Sequence, residues 1–442
     1  MRTGTNMKTY RSVKIKDWST EYKGFVSANK NKKKSVNRWY PILEGFSNSF
    51  VESVINEQCK TNNLICLDPF AGGGTTPLVA QELGVKCYSF EVSPFMSQVC
   101  RAKLRNDYKS AEFVGVVELL KSKLLEDGFT NDYRIELKTI SKKKTLDKWL
   151  FHKTALTSLL NIRKAIEIST ADFPVYYDIL NVALGSILLQ FSNVYRDGKA
   201  VKYKANWRTK YYKTKQIYNA YIEKCLGSVL LDIQQIEASS SINKQINNQN
   251  YFINGDCRDL VGELNDNELD LVITSPPYLN SRDYTDSHMI ELWLLGHVHN
   301  YSDVRALRQK TMRSHVQVTW GEIPKPTSKI LEECLFEIMK FQKKFWNRNI
   351  PSMIVGYFKD IEELLSALRV KMKTKGKLYI NVANSSYYGV IIETDRIIEE
   401  IATNLGYSVL EIRLARKIKT SSQQYEEVKW LRESVIILEN SK

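Results

Sequence analysis

The sequence predicts an α/β protein built on a seven-stranded, Rossmann-like sheet that a large, mostly helical insert interrupts. Three observations carry this expectation. From Leu64 onward, short apolar runs alternate with helix-patterned segments, as βαβ units of a parallel sheet require. The alternation stops near Arg101 and resumes near Tyr251, across a stretch whose patterned segments have helical length. Five further strand-like runs follow, which brings the total to seven.

Taken in order, residues 1–36 are polar and basic, closing on Lys30, Lys32, Lys33 and Lys34, and read as an extended N-terminal arm or a solvated tail. Residues 37–100 hold the first part of the sheet domain, with strands at 64–67 and 87–90 around a helix near 76–83. Residues 101–250 form the insert, with helical patterns at 178–190 and 217–236, and the Ser-, Asn- and Gln-rich run 238–250 reads as its closing linker. Residues 251–442 complete the sheet with strands at 251–253, 269–274, 377–382, 407–414 and 434–438. Within them, 279–348 is a second excursion, basic and aromatic, without strand rhythm.

Of 442 residues, 43% are hydrophobic and 26% charged, enough apolar material for about two or three cores. The net charge of +15 and pI near 9.2 favour a polyanionic partner, nucleic acid first. Seven scattered cysteines, without C-x-x-C pairs or clustered histidines, exclude a disulfide framework and structural zinc, so no metal is expected. The opening residues lack an apolar h-region, and no window supplies about 18 apolar residues. A cytoplasmic protein without membrane contact is expected.

Leu67-Asp68-Pro69-Phe70-Ala71-Gly72-Gly73-Gly74-Thr75-Thr76 lies directly between a strand and a helix. Glycines permit a tight turn and close approach to a ligand, and the helix N-terminus presents free N–H groups. The G-x-G-x-x-G spacing and a Walker lysine are both absent, which counts against nicotinamide and ATP. The stretch resembles the D-P-F-x-G-x-G-T loop of the DNA amino-methyltransferases, matched by Asp68, Phe70, Gly72, Gly74 and Thr75.

That resemblance implies the class I methyltransferase form of the Rossmann-like sheet, with S-adenosylmethionine bound at the loop. It implies that Glu91, ending the second strand, receives the ribose hydroxyls, a role a carboxylate can fill by accepting from both. A surface glutamate at a strand end is the alternative. Asp256, after the third strand, falls where the family receives the adenine amino group; a plain helix N-cap is the competing reading. Residues 38–47 resemble the segment that covers the methionine end of the cofactor, and a packing helix is the alternative.

The apolar strand at 269–274 stops in Ser275-Pro276-Pro277-Tyr278. Two prolines fix φ and remove two donors, leaving a turn built to accept hydrogen bonds. Such a turn suits an aromatic amine, which becomes nucleophilic as acceptors hold its hydrogens. Ser275 Oγ and the Pro276 carbonyl would be the acceptors, and Tyr278 would stack on a base flipped out of its duplex. The tetrad matches the family's D/N/S-P-P-aromatic motif; serine after Thr274 resembles the cytosine-N4 branch, with adenine N6 the alternative. Cytosine C5 chemistry needs a thiolate after proline, and no Pro-Cys pair occurs. A strand that merely ends in Pro-Pro-Tyr is the structural alternative.

Within the insert, Arg196, Lys199, Lys204, Trp207 and Arg208 interleave cations with aromatic rings, as does Lys210 to Lys213, a pattern that holds phosphates and unstacked bases. A solvated basic surface with inward rings is the alternative. Arg282, beside the catalytic tetrad, is a further candidate, and Arg308 or Arg313 would touch phosphate near the flipped base.

The order of motifs resembles the alpha arrangement of these enzymes, although the insert falls before Asp256 rather than after it. The combined reading is a site-specific DNA cytosine-N4 methyltransferase acting on double-stranded DNA, the modification half of a restriction-modification system with a cognate endonuclease as partner. An RNA amino-methyltransferase and a catalytically silent nucleic-acid-binding subunit are the rivals.

Overall fold

The computed structural model describes residues 12–42, 45–58, 63–196, 201–240, 250–279, 283–317, 325–420 and 427–442. Its main sheet has eight strands: β1 Ile15–Asp17, β2 Ile65–Asp68, β3 Lys86–Glu91, β4 Asn250–Asn254, β5 Leu269–Thr274, β6 Met372–Ala383, β7 Tyr407–Lys419 and β8 Trp430–Asn440. They lie in the order β1-β7-β8-β6-β5-β2-β3-β4. Neighbours run parallel except β8, which is antiparallel to both β7 and β6. All seven expected strands are present in the class I methyltransferase arrangement, and an eighth is added at one edge.

The strand sequences account for the layering. β5 reads Leu-Asp-Leu-Val-Ile-Thr and is apolar on both faces, as a strand covered on both sides must be. Leu271 and Ile273 pack with Phe50, Val51 and Val54 of the helix Asn48–Gln58. Val272, pointing the other way, joins Ile354, Tyr357 and Phe358 of the helix Ile350–Lys371.

The first 36 residues are not a free arm where they are described. Ile15 pairs with Ile412 of β7, and Tyr22 and Val26 are buried against Phe50. The Arg413 guanidinium lies 3.9 Å from the Trp18 ring centre and donates to the Tyr22 hydroxyl at 2.7 Å. Basic character hid this docking, because the strand is only three residues long and its partner lies near the other end of the chain.

The insert is helical, as expected, but has no core of its own. Helices Ser110–Leu125, Lys153–Ser169, Tyr177–Phe191 and Thr214–Lys224 share one apolar cluster with Trp39, Tyr40, Phe95, Val99 and Trp293, which lie outside the insert. The single helix read over 217–236 is two, Thr214–Lys224 and Leu230–Ser240, joined by a π-turn at Cys225–Val229 in which Gly227 leaves helical geometry. Most of the anticipated linker, 241–249, lies outside the described residues.

One buried ion pair ties these parts together. Arg196 ends a small hairpin strand and donates twice to Glu291, at 2.9 Å each, and to the Tyr40 hydroxyl at 3.1 Å. Glu291 is fully enclosed, so removing one partner strands a charge. Arg196→Ala should destabilise the protein by about 3–5 kcal/mol, whereas replacing both residues by leucine should recover most of the loss. Urea denaturation of the single and double variants measures the difference; equal losses would refute the pairing.

Candidate active site

The sheet reverses direction of winding between β2 and β5, and a crevice opens beyond the carboxyl ends of the strands at such a point. The loops that leave β2, β3, β4 and β5 all border one cavity of about 290 Å³. Asp68, Phe70, Gly72, Thr75, Glu91, Asp256, Ser275, Pro276, Pro277 and Tyr278 line it together. Two further stretches complete its wall. Val26, Ser27, Ile42 and Phe46 come from the N-terminal segment, and His288, Thr311 and His315 come from the second excursion.

Gly74 lies beneath the loop rather than on the cavity. It has φ +81°, and a Cβ there would meet Cys100 Sγ at 2.7 Å, so glycine is required for the loop to sit on the helix Pro94–Leu104. The same helix supplies Lys103, which is buried and donates to the Gly73 carbonyl at 2.9 Å. Burial pushes the Lys103 ammonium down to about 8. Neither contact carries a motif signal, since a lysine near the end of a helical stretch looks like any solvated cation.

Among the described residues no cation forms an ion pair with Asp68. Its carboxylate accepts from the Phe70 amide at 3.0 Å, from the Thr76 hydroxyl, and from the Thr274 hydroxyl at 3.1 Å. Burial raises it to about 6 against the pull of these bonds. Glu91 accepts from the Gly72 amide at 2.8 Å and the Ser93 amide at 2.7 Å, and burial raises it to about 7. Asp256 caps the short helix Cys257–Leu260 through the Arg258 amide at 3.0 Å and is gripped by the Arg258 guanidinium. It is thus an N-cap and a cavity residue at once.

At the Ser275–Tyr278 turn, Tyr278 is fixed by its hydroxyl. It donates to Glu433 Oε1 at 2.7 Å and accepts from Asn381 Nδ2 at 2.8 Å. Both partners lie on strands β8 and β6, far from the tetrad in sequence, and no local pattern announces them.

The cations expected to hold nucleic acid divide into two groups. Arg196 is committed to Glu291, and Trp207 is buried with its ring 4.6 Å from Trp149 and 4.8 Å from Tyr203. Lys204 donates to the carbonyls of Leu189, Gln190 and Ser192, capping the end of the helix Tyr177–Phe191. These three are structural, a correction that follows from their having nearer acceptors or an apolar pocket. Arg308 is held by Asp283 and Asp286, and Arg313 by Asp360, so neither reaches outward as anticipated. Arg208 remains exposed, stacked 4.5 Å over Trp207. Lys199 and Arg282 lie outside the described residues.

A second basic stretch, which carries no motif, adjoins Arg208. Lys142 lies 5.4 Å from the Trp149 ring centre and Lys148 5.6 Å from that of Tyr203, while Arg208 donates to the Asp147 carbonyl at 3.1 Å. Lys142, Lys143, Lys144, Lys148, Lys210 and Lys213 are exposed, and none forms an ion pair with a described carboxylate. Among the described residues no cluster of His, Cys, Asp and Glu is arranged to hold a metal, and no helix is long and apolar enough to cross a membrane.

The fold is that of the class I methyltransferases, with the glycine loop and the proline-proline-aromatic turn at one crevice. No family model matches the chain. It is similar to Type II methyltransferase M.AvaI of Nostoc sp. (strain PCC 7120), 26% identical over 429 residues covering 90% of this chain and 84% of that protein. The same figures hold for M.AvaI of Anabaena variabilis. Type II methyltransferase M.BsoBI of Geobacillus stearothermophilus is 24% identical over 456 residues, covering 93% and 86%. Among solved structures, the rRNA methyltransferase aviRa from Streptomyces viridochromogenes aligns with a TM-score of 0.29 and 8% identity over 89% of this chain and 84% of that one.

The raised carboxyl of Glu91 has a consequence for stability. A carboxyl that binds its proton more tightly when folded favours the folded state at low pH, and this contribution is lost as pH rises from the unfolded value through about 7. The stability of Glu91→Gln should therefore fall less between pH 5 and pH 8 than that of the unmodified protein. Parallel slopes in urea melts would show that Glu91 is not a buried proton acceptor.

Proposed function

We propose that the chain is an S-adenosylmethionine-dependent, site-specific DNA methyltransferase that modifies the exocyclic N4 of a flipped-out cytosine, as the modification enzyme of a restriction-modification system. The observation that carries this reading is the convergence of the Asp68–Thr75 loop and the Ser275–Tyr278 turn on one cavity. The similarity to proteins named Type II methyltransferases supports the same class of reaction.

The residues present fit the cofactor. Gly72, at φ +52°, leaves open space above the loop, and Glu91 turns both carboxylate oxygens toward loop amides at the cavity wall. Glu91 would receive the ribose hydroxyls and Asp256 the adenine amino group. The cofactor, when bound, supplies a methyl group activated on a sulfonium. Ser275 Oγ and the Pro276 carbonyl then hold the hydrogens of the target amine, and Tyr278 supports the base. The hydroxyl of Ser275 can accept from either base, and the reading commits to cytosine because serine after Thr274 resembles the cytosine-N4 branch, with adenine N6 the alternative.

DNA is held, in this proposal, by the exposed patch of Lys142, Lys143, Lys144, Lys148, Arg208 and Lys210 rather than by Arg196, Lys204 and Trp207. Each cation withdrawn from a phosphate should flatten the plot of log affinity against log salt by about 0.9. Replacing the four lysines at 142–148 by glutamine should weaken DNA binding and lower this slope while leaving cofactor affinity unchanged. An unchanged slope removes the patch from the interface.

The chemistry is tested by mass spectrometry of nucleosides after incubating DNA, tRNA and rRNA with the protein and methyl-labelled S-adenosylmethionine. N4-methylcytosine in DNA, lost in Ser275→Ala, is the expected result. N6-methyladenine would keep the site and change the base, and label confined to RNA would overturn the DNA assignment.

A further inference from the structure

Strands β7 and β8 outrun the rest of the sheet. The last residue of β8 to pair with β6 is Glu433, opposite Ala383, whereas β8 goes on pairing with β7, Arg432 with Lys417, Leu431 with Ile418 and Trp430 with Lys419. β7 runs parallel to β6, so these three rungs project from the carboxyl end of the sheet, where the crevice opens, by about 10 Å. Paired residues of neighbouring strands share a face, and successive pairs alternate. One face carries Arg416 beside Glu433, both on the cavity wall. The other carries Lys417 and Lys419, and the Lys419 ammonium lies 5.6 Å from the ring centre of the exposed Trp430. The Arg416 side chain is 45% exposed; its Nε binds Glu433, and its two terminal nitrogens have no partner among the described residues. Lys417 and Lys419 are exposed and form no ion pair with a described carboxylate, while Arg432 is taken up by Asp395 and Glu393.

We propose that this ribbon is a second DNA-binding element: Arg416 holds the phosphate beside the extruded nucleotide, and Lys417 and Lys419 hold backbone further along the duplex. A base that enters the cavity brings its own phosphate to the rim, and Arg416 is the arginine there among the described residues. A planar fork with unclaimed donors matches phosphate oxygens, which a lysine meets only as a point charge. The remaining bond of Arg416 runs to Glu433, whose other oxygen accepts from the Tyr278 hydroxyl. The phosphate contact and the ring expected to stack on the base thus share one support. A two-stranded ribbon is also narrow enough for the major groove. In strand order the ribbon lies on one side of β2 and β5; on the other side the helix Pro94–Leu104, which shares the core of the insert, packs over β3 and β4. Duplex laid across the crevice is therefore held from both flanks. The proposal rests on the reading of the chain as a DNA methyltransferase.

The ribbon is tested first by binding. The double variant Lys417→Gln, Lys419→Gln removes two exposed charges that no described carboxylate needs. Fluorescence anisotropy with a labelled mixed-sequence duplex should show weaker binding, and the slope of log affinity against log salt should fall by about 1.8, twice the value for one phosphate contact. Affinity for S-adenosylmethionine should stay the same. Arg416→Lys keeps a positive charge beside Glu433 and gives up the fork. Its KM for DNA should rise by about tenfold, the loss expected for a charge-assisted hydrogen bond, while kcat changes less than about threefold.

An unchanged salt slope in the lysine variant overturns the proposal, and so would a surface that serves a protein partner, because removing its lysines leaves the slope on DNA intact. An unchanged KM in Arg416→Lys, with lowered stability in urea, reduces Arg416 to a counter-charge for Glu433 and overturns its phosphate contact. If Arg416→Lys does not fold, the lysine variant decides alone. Failure of the broader reading is separate, because the binding slopes need no turnover. It appears as absence of methyl transfer to DNA by the unmodified protein.

Discussion

The crevice is organised by a carboxylate that, among the described residues, pairs with no cation. Asp68 ends β2, and its two oxygens are held by an amide of the glycine loop, a hydroxyl of the following helix and a hydroxyl at the end of β5. An unsatisfied buried oxygen costs about 1–3 kcal/mol, so none of these partners can drift without loss. Thr274 is the last residue before the Ser-Pro-Pro-Tyr turn. The same carboxylate therefore sets the loop expected to hold the cofactor and the turn expected to hold the substrate in one register. The carboxyl still sits near 6, so the hydrogen bonds offset the burial of its charge only in part.

What the sequence disclosed was local. Strands 269–274 and 407–414 could be found because apolar runs end at turn residues, and the two loops because their glycines and prolines are consecutive letters. What it concealed was pairing at a distance. The strand Ile15–Asp17 is three residues in a basic text, and its meaning lies in β7. The Glu433 partner of Tyr278 is 155 residues away, and the Lys103 that supports Gly73 is 30 away. Ile42 and Phe46, within the 38–47 segment that the family likeness marks, reach the cavity, whereas Val26 and Ser27 reach it with no letter pattern to mark them.

The cations illustrate the same limit with a sign. A surplus of +15 suggests many hands for phosphate, yet the arginines nearest the motifs are engaged inward. Arg258 and Arg313 share Asp360, Arg308 bridges Asp283 and Asp286, Arg432 holds Asp395, and Arg196 holds Glu291. Arginine suits such sites because its planar fork satisfies a carboxylate twice, whereas lysine is a hydrated point charge that keeps to the surface. Among the described residues, the lysines at 142–148 are exposed and pair with no carboxylate, and no motif flagged them.

The place of the insert follows from one helix. Pro94–Leu104 turns Cys100 under Gly74 and Lys103 onto the Gly73 carbonyl, while its Phe95 and Val99 belong to the core that the insert helices share. Phe95 also meets Tyr40 at 4.9 Å, and Tyr40 bonds to the Glu291 that holds Arg196. Cores are close-packed and yield little to displacement. A ligand that shifts the glycine loop must therefore press on the same helix that anchors the insert, and an insert that moves must disturb the loop. Long insertions are tolerated at loops because their closure entropy rises slowly with length. Here the inserted chain has gone further and become part of the support of the crevice.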